Sequence, residues 1–292
     1  MNTEQASQAC QLVPPALDVA LPVLMYHSVS DAPTASAQAL SVRPGMFGTQ
    51  LCSLRRQGFT GLTFGELGQR RRTGQPLPAR PIVLTFDDGY ADLIEEALPK
   101  LIEYGFPATV FVTTGWLRDA GRSTAASAPG RMLSWAQLAE LSAAGVEVAA
   151  HTHSHPQLDR ISTARLHAEL GDSKRLLEDR LGCPVRSLAY PYGYSSKRVR
   201  TVARECGYLQ AAAVANAPAT ANCDPFRVPR LTIRRSTSSA SFDWTVNGKQ
   251  IHIHYGATRA LTAGWAVVRR SRSVLRTLPR ELAYSAKVEG VE

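Results

Sequence analysis

Short apolar segments alternate with helical patterns along most of this chain, and that alternation constrains the fold more than any other feature. Candidate strands fall at 22–27, 60–63, 82–86, 108–113, 146–150, 186–190 and 209–215. Helical patterns lie between them near 46–57, 64–71, 92–104, 135–144, 163–181 and 197–206. Such alternation implies a parallel sheet, and near-continuous apolar strands imply burial on both faces. Seven strands exceed a small doubly wound unit and suit an incomplete α/β barrel. Helix-end signals agree. Ser134 followed by Gln137 reads as a capping box. Gly58, Gly105, Gly145, Gly182 and Gly207 sit just past helix ends, where a left-handed residue closes the last turn. Residues 1–20 read as a flexible leader, 21–240 as the barrel and 241–292 as a C-terminal extension; 236–256 fit no pattern.

Composition narrows the function classes. A chain of 292 residues with 44% hydrophobic content is ordinary for a globular protein, which excludes wholesale disorder and fibrous repeats. No stretch approaches the roughly 20 consecutive apolar residues of a membrane-spanning helix. The start of the chain lacks the basic and apolar regions of a signal peptide, so a cytoplasmic location is expected. Five widely spaced cysteines with no C-x-x-C pair suggest neither a zinc knuckle nor a disulfide framework. The net charge of +9 is carried largely by arginine and is concentrated at 257–280. Elsewhere the basic residues are dispersed and not interleaved with aromatics, so no nucleic-acid partner is expected. Leu261, Trp265, Val268, Leu275 and Leu278 fall roughly on one helical face with arginines around them. That pattern suits a helix at the inner face of the membrane, on anionic lipid, or a helix that closes the barrel.

In parallel α/β folds, ligands gather at the C-terminal ends of the strands. Four strands here end in chemistry-bearing residues: Tyr26-His27, Asp87-Asp88-Gly89, His151 and Pro191-Tyr192-Gly193. The loop at 118–131 is rich in small residues and reads as a mobile part of the same rim. Adjacent carboxylates at a strand end point in different directions, so one can hold a cation while the other accepts a proton. A solvated Asp-Asp-Gly turn has the same look, and that motif alone decides nothing. The run His151-Thr152-His153-Ser154-His155-Pro156 is more informative. One helical turn would bring His151 and His155 to the same side, and with a carboxylate they make a His₂-carboxylate site of the catalytic zinc type. His153 projects elsewhere and supports the loop.

TFDDGY at 85–90, HTHSHP at 151–156 and AYPYG at 189–193, in that order, resemble the motifs of the polysaccharide deacetylases, the NodB-homology group of carbohydrate esterase family 4. The likeness covers roughly residues 20–235. It implies a distorted seven-stranded (β/α) barrel and hydrolytic removal of an N-acetyl, occasionally O-acetyl, group from a sugar. Carried over by position, Asp87 is the general base, and Asp88, His151 and His155 are the metal ligands. The ion expected is zinc, with cobalt, nickel and manganese compatible with the same ligands. Pro191 and Tyr192 resemble the groove motif whose tyrosine N–H helps bind the oxyanion; Tyr190 beside them, together with Trp116 and Trp135, is expected to contact sugar.

This chain departs from the family pattern twice. The groove motif usually begins with an arginine that pairs with the base, whereas Ala189 stands here and Arg230 is the candidate replacement. The general-acid histidine usually follows the other motifs. Here VLMYHS precedes them, which resembles the circularly permuted subgroup of poly-N-acetylglucosamine type and makes His27 the expected acid, with His252 and His254 the competing choice. The expected partner is an N-acetylated saccharide of exopolysaccharide synthesis, such as a lipid-linked or growing oligosaccharide on the cytoplasmic side. Deacylation of a small N-acyl substrate and an inactive glycan-binding barrel are the alternatives.

Overall fold

The computed structural model describes residues 21–121, 128–220, 222–253 and 255–256. The leader 1–20 and the basic segment 257–280 lie outside the described residues, as does 122–127 of the rim loop. The chain divides into two compact units, Met1–Lys249 and Gln250–Glu292, and each is taken by itself.

In the first unit all strand pairs are parallel. The strands are β1 (Val23–Tyr26), β2 (Thr60–Leu62), β3 (Pro81–Asp88), β4 (Thr109–Val112), β5 (Glu147–Ala150), β6 (Ser187–Ala189), β7 (Gln210–Ala212) and β8 (Leu231–Thr232). They run in the order β7-β6-β5-β4-β3-β1-β8, with β2 beside the lower part of β3. Val228 bridges to Ala212, while Leu231 and Thr232 pair with Leu24 and Met25. The segment 228–232 therefore joins the two ends of the path. This is the expected distorted seven-stranded barrel, with one exchange of membership. The strand at 60–63 stands off the main path, and two residues of β8 take its place; a two-residue strand is too short to leave a periodic signal.

The helices α1 (Pro44–Arg56), α2 (Phe64–Thr73), α3 (Leu98–Tyr104), α4 (Trp135–Ala143), α5 (Thr163–Leu181), α6 (Lys197–Glu205) and α7 (Ser239–Val246) connect and cover the strands. The Ser134–Gln137 capping box forms, and Thr63 with Glu66 makes a second one. All five glycines flagged at helix ends have positive φ. The helix expected over 92–104 is interrupted: a π-type turn at Leu93–Ala97 precedes α3, which starts just before Pro99. A proline ring clashes with the carbonyl four residues back in a regular helix, and the widened turn avoids this. Within 236–256, α7 packs on α1, where Ser53 and Gln57 donate to Asp243 Oδ1 at 2.6 and 2.9 Å. Among the described residues no helix is long and apolar enough to cross a membrane.

Strand parity positions the site. Val23, Val83, Phe111, Ala149, Ala189, Ala212 and Val228 belong to one buried cluster that draws a residue from nearly every strand. Side chains two apart on a strand share a face. Continuing each strand by that step leads from Val23 through Met25 to His27, from Val83 through Thr85 to Asp87, and from Ala149 to His151. Beneath this layer, at the start of β5, lies the half-buried Glu147 carboxylate, which accepts from Gly65 N–H (2.6 Å), Thr109 Oγ1 (2.8 Å) and Ser187 Oγ (2.7 Å). Burial pushes this carboxyl upward in pKa, and the three donors oppose the shift. Glu147→Ala leaves those donors without their acceptor, and thermal or denaturant unfolding is expected to show a loss of about 2–3 kcal/mol.

Candidate active site

Asp87 and Asp88 are the last two residues of β3, both buried, and they part at a left-handed turn with Asp88 at φ 75° and Gly89 at φ 92°. Asp87 faces Arg230. The guanidinium Nη1 donates to Oδ1 at 2.6 Å and Nη2 to Oδ2 at 2.7 Å, a two-pronged pair. Arg230 is fully buried; Nη1 also donates to Thr85 Oγ1 (3.0 Å), and the guanidinium lies over the Phe111 ring. Burial alone would raise the Asp87 carboxyl, but Arg230 and then His151 more than offset it and hold it at about 2. Asp87 is therefore a carboxylate at any ordinary pH. Ala189 supplies its backbone: its carbonyl accepts from His151 Nδ1 at 2.8 Å. That bond places the proton on Nδ1 and leaves the Nε2 lone pair facing the carboxylates.

Asp88 has the opposite surroundings. Its Oδ1 is buried without a hydrogen-bond partner among the described residues, and burial followed by the charge of Asp87 pushes the carboxyl up to about 8. Two imidazoles face it, His151 Nε2 at 3.5 Å and His155 Nε2 at 3.4 Å. Burial pushes both histidines below their ordinary value, His155 to about 3 with His151 adding to the effect, so both are neutral with lone pairs free. These spacings are long for N–H···O bonds. They suit a coordination polyhedron: bonds of about 2.0–2.1 Å at tetrahedral angles set neighbouring ligand atoms ~3.4 Å apart. One ligand atom from each residue lies within 4.8 Å of the others, and a divalent cation there would satisfy the orphaned carboxylate oxygen.

The two histidines converge without a helical turn. The expected turn over 151–155 is replaced by a loop with Thr152 at φ 68° and His155 at φ 57°. Pro156 disfavours the right-handed helical region for the residue before it, and Thr152 Oγ1 accepts from His155 N–H at 3.0 Å. Left-handed threonine is uncommon and needs support. Glu169, on the buried face of α5, supplies it, accepting from Ser154 N–H at 2.8 Å and from the Ser154 hydroxyl. His153 binds the Thr114 hydroxyl through Nδ1 at 3.0 Å, tying the loop to the rim.

His27 follows β1 at the same rim and is partly exposed. Burial of the ring pushes it down to about 4, against the pull of Asp87. Of the competing choices, His252 belongs to the second unit and His254 lies outside the described residues. Tyr192 is 53% exposed with φ 60°, and its ring meets His155 edge-on at 4.8 Å. Trp116 stacks on the same imidazole, also at 4.8 Å. One expected sugar contact is corrected. Tyr190 is fully buried and donates its hydroxyl to the Phe226 carbonyl at 3.1 Å, so it packs the core and offers no surface. Trp135 stacks with Arg180 of α5, and Trp116 is the tryptophan found at the histidines. Pro191 is buried between Tyr190 and Tyr192.

Residues 74–211 match the sequence profile of the family described as polysaccharide deacetylase. They form a polysaccharide deacetylase domain. The poly-β-1,6-N-acetyl-D-glucosamine N-deacetylase of Staphylococcus aureus is 26% identical to this chain over 202 residues, covering 66% of this chain and 68% of that protein. The solved structure of the Streptococcus pyogenes deacetylase PplD in complex with acetate is similar with TM-score 0.69 at 28% identity, covering 79% of this chain and 99% of that one. BC0361, a polysaccharide deacetylase from Bacillus cereus, is similar with TM-score 0.66 at 26% identity over 77% and 68% of the two chains. The deacetylase domain is thus that of a carbohydrate-deacetylating hydrolase.

Glu169 belongs to no motif, although a signal is present: it is an acid within the otherwise uncharged buried stripe Leu166, Leu170, Ser173, Leu177 of α5. Because it holds the loop between two ligand histidines, Glu169→Ala is expected to weaken divalent-metal binding by about 10–100-fold. Titration of zinc into the chelator-stripped variant and wild type measures this, and equal affinities would remove Glu169 from the site.

Proposed function

We propose that this domain is a metal-dependent N-deacetylase that hydrolyses the acetamide of an amino sugar in a saccharide or glycoconjugate, releasing acetate and leaving a free amine. The observation that carries the reading is the split between two adjacent carboxylates. Asp87 is neutralised by Arg230, whereas Asp88 is buried with an unpartnered oxygen facing two imidazole lone pairs. Asp88, His151 and His155 hold the ion, and zinc suits that ligand set. A divalent cation at such a site polarises the acyl carbonyl and lowers the pKa of water towards ~7.

The protein's own groups carry the rest. Asp87, fixed in plane by Arg230, takes the proton of the attacking water. The Tyr192 N–H donates to the oxyanion that develops on the acetyl group. His27, neutral at rest, takes up a proton from solvent as that charge builds and delivers it to the departing sugar nitrogen, while Asp87 returns the proton it took to solvent. The exposed Tyr192 ring and Trp116 offer apolar faces for a pyranose beside the cluster. The name of the S. aureus relative supports N-acetylglucosamine units as substrate.

Acetate release from N-acetylglucosamine oligomers, lipid-linked saccharide and UDP-N-acetylglucosamine tests the reading. Zinc-loaded protein is expected to release acetate, and chelation to abolish the release. Asp87→Asn should lose about 10²–10⁴-fold in rate while still binding the ion. Acetate release indifferent to both chelation and Asp87→Asn would overturn the proposal.

A further inference from the structure

Beyond Asp88 the chain turns through Gly89 and Tyr90 and reaches Asp92 at the mouth of the π-type turn. The Asp92 side chain does not cap that turn. Its carboxylate reaches instead to the residues that follow β1: Oδ2 accepts from the Ser28 hydroxyl at 2.6 Å and Oδ1 from the Val29 N–H at 3.0 Å. Ser28 and Val29 are both fully buried, and His27 directly precedes them.

A working imidazole is usually oriented by a hydrogen bond at the ring nitrogen that takes no part in the chemistry. His151 obeys this rule through the Ala189 carbonyl. His27 does not, because its Nδ1 is buried and has no hydrogen-bond partner among the described residues. The position of the ring therefore depends on the backbone to either side. Before it, β1 is fixed by its ladder with β3, with Tyr26 opposite Phe86. After it, the Val42 N–H donates to the Ser28 carbonyl at 2.9 Å and the Ser28 and Ser41 hydroxyls meet at 3.2 Å, but those bonds lead into the loop before α1. Asp92 provides a tie back to the segment that bears Asp87 and Asp88.

We propose that Asp92 is a positioning residue for His27. By holding Ser28 and Val29, its carboxylate sets the spacing between the proton-accepting side of the site, carried by the Asp87-Asp88 segment, and the proton-donating side, carried by the end of β1. The inference rests on the reading of His27 as the proton donor. It gives a reason for a half-buried acid four residues past Asp88 that neither touches the proposed metal ligands nor caps a helix. A displacement of about 1 Å at a reacting group can cost about 10²-fold in rate, so the tie matters even though Asp92 touches no substrate.

The test uses full-length, zinc-loaded protein and acetate release, with kcat, KM and bound zinc measured for wild type, Asp92→Ala, Asp92→Asn, His27→Ala and the double variant His27→Ala/Asp92→Ala. Asp92→Ala is expected to lower kcat roughly 10–100-fold with KM and zinc content unchanged. Asp92→Asn is near-isosteric, keeps an acceptor for Val29 N–H and should recover part of the rate. It also serves as the folded control if the alanine variant is unstable. In the His27→Ala background, Asp92→Ala should cost nothing further, because residues acting as a unit are non-additive. Effects that multiply, a fall in zinc content that tracks the fall in rate, or an unchanged kcat in Asp92→Ala would each overturn the assignment. Wild-type kcat in His27→Ala would instead remove His27 as the donor, and the positioning role with it, while leaving the deacetylase reading to stand on Asp87.

Discussion

The ion pair between Asp87 and Arg230 is the interaction on which the rest of the site depends. Two neighbouring carboxylates at the end of a buried strand repel each other, and both resist ionisation in a dry interior. A two-pronged guanidinium on one of them breaks the symmetry. Asp87 is held ionised, and its charge then bears on Asp88, which burial already disfavours as an anion. The cheapest way to satisfy Asp88 is a cation shared with His151 and His155. One arginine thus sorts a chemically identical pair into an ionised carboxylate and one left for a cation, the two roles that the proposed function assigns to proton acceptor and metal ligand.

The barrel supplies the precision that this sorting requires. Val83, Thr85 and Asp87 rise along one face of β3, with Ala149 and His151 rising on β5 and Val23 and Met25 leading to His27 on β1. The lower positions are apolar and close-packed, so the polar layer above them inherits a rigid base. Alanines at 149, 189 and 212 keep the interior narrow on that side. Thr85 links the two layers, donating to the Leu24 carbonyl at 2.8 Å while accepting from Arg230.

Much of this could be read from the chain because it is periodic or local. Strand runs, helix caps and the three motifs depend on neighbours in sequence, and the structure places those elements within a few residues of expectation. The failures have a common physical origin. β8 is two residues long, so no period could show it. The four-residue spacing of His151 and His155 suits a helical turn, whereas Pro156 and the Thr152 hydroxyl impose a loop. Tyr190 resembles a groove residue because it lies two residues before Tyr192, yet the left-handed conformation of Tyr192 at φ 60° breaks the strand parity between them, and the Tyr190 hydroxyl finds Phe226 in the core. Glu169 was readable as a charge out of place on α5. Asp92 was not, since its partners, Ser28 and Val29, lie 64 and 63 residues away and no pattern joins them.

The topology explains why the first and last strands of the barrel matter so much to a motif in the middle. β1 lies between β3 and β8, so His27 and Arg230 approach Asp87 from successive neighbours although Arg230 is 143 residues distant in sequence. Arg230 reaches Asp87 only when 228–232 joins β7 to β1. Before that junction forms, Asp87 would be an uncompensated charge in an apolar interior, a state that proteins avoid by admitting water or protonating the group. Closing the barrel and setting the ionisation of Asp87 are therefore one event. A chain that failed to close would lose the pairing that separates Asp87 from Asp88, and with it the distinction between acceptor and ligand on which the proposed chemistry rests.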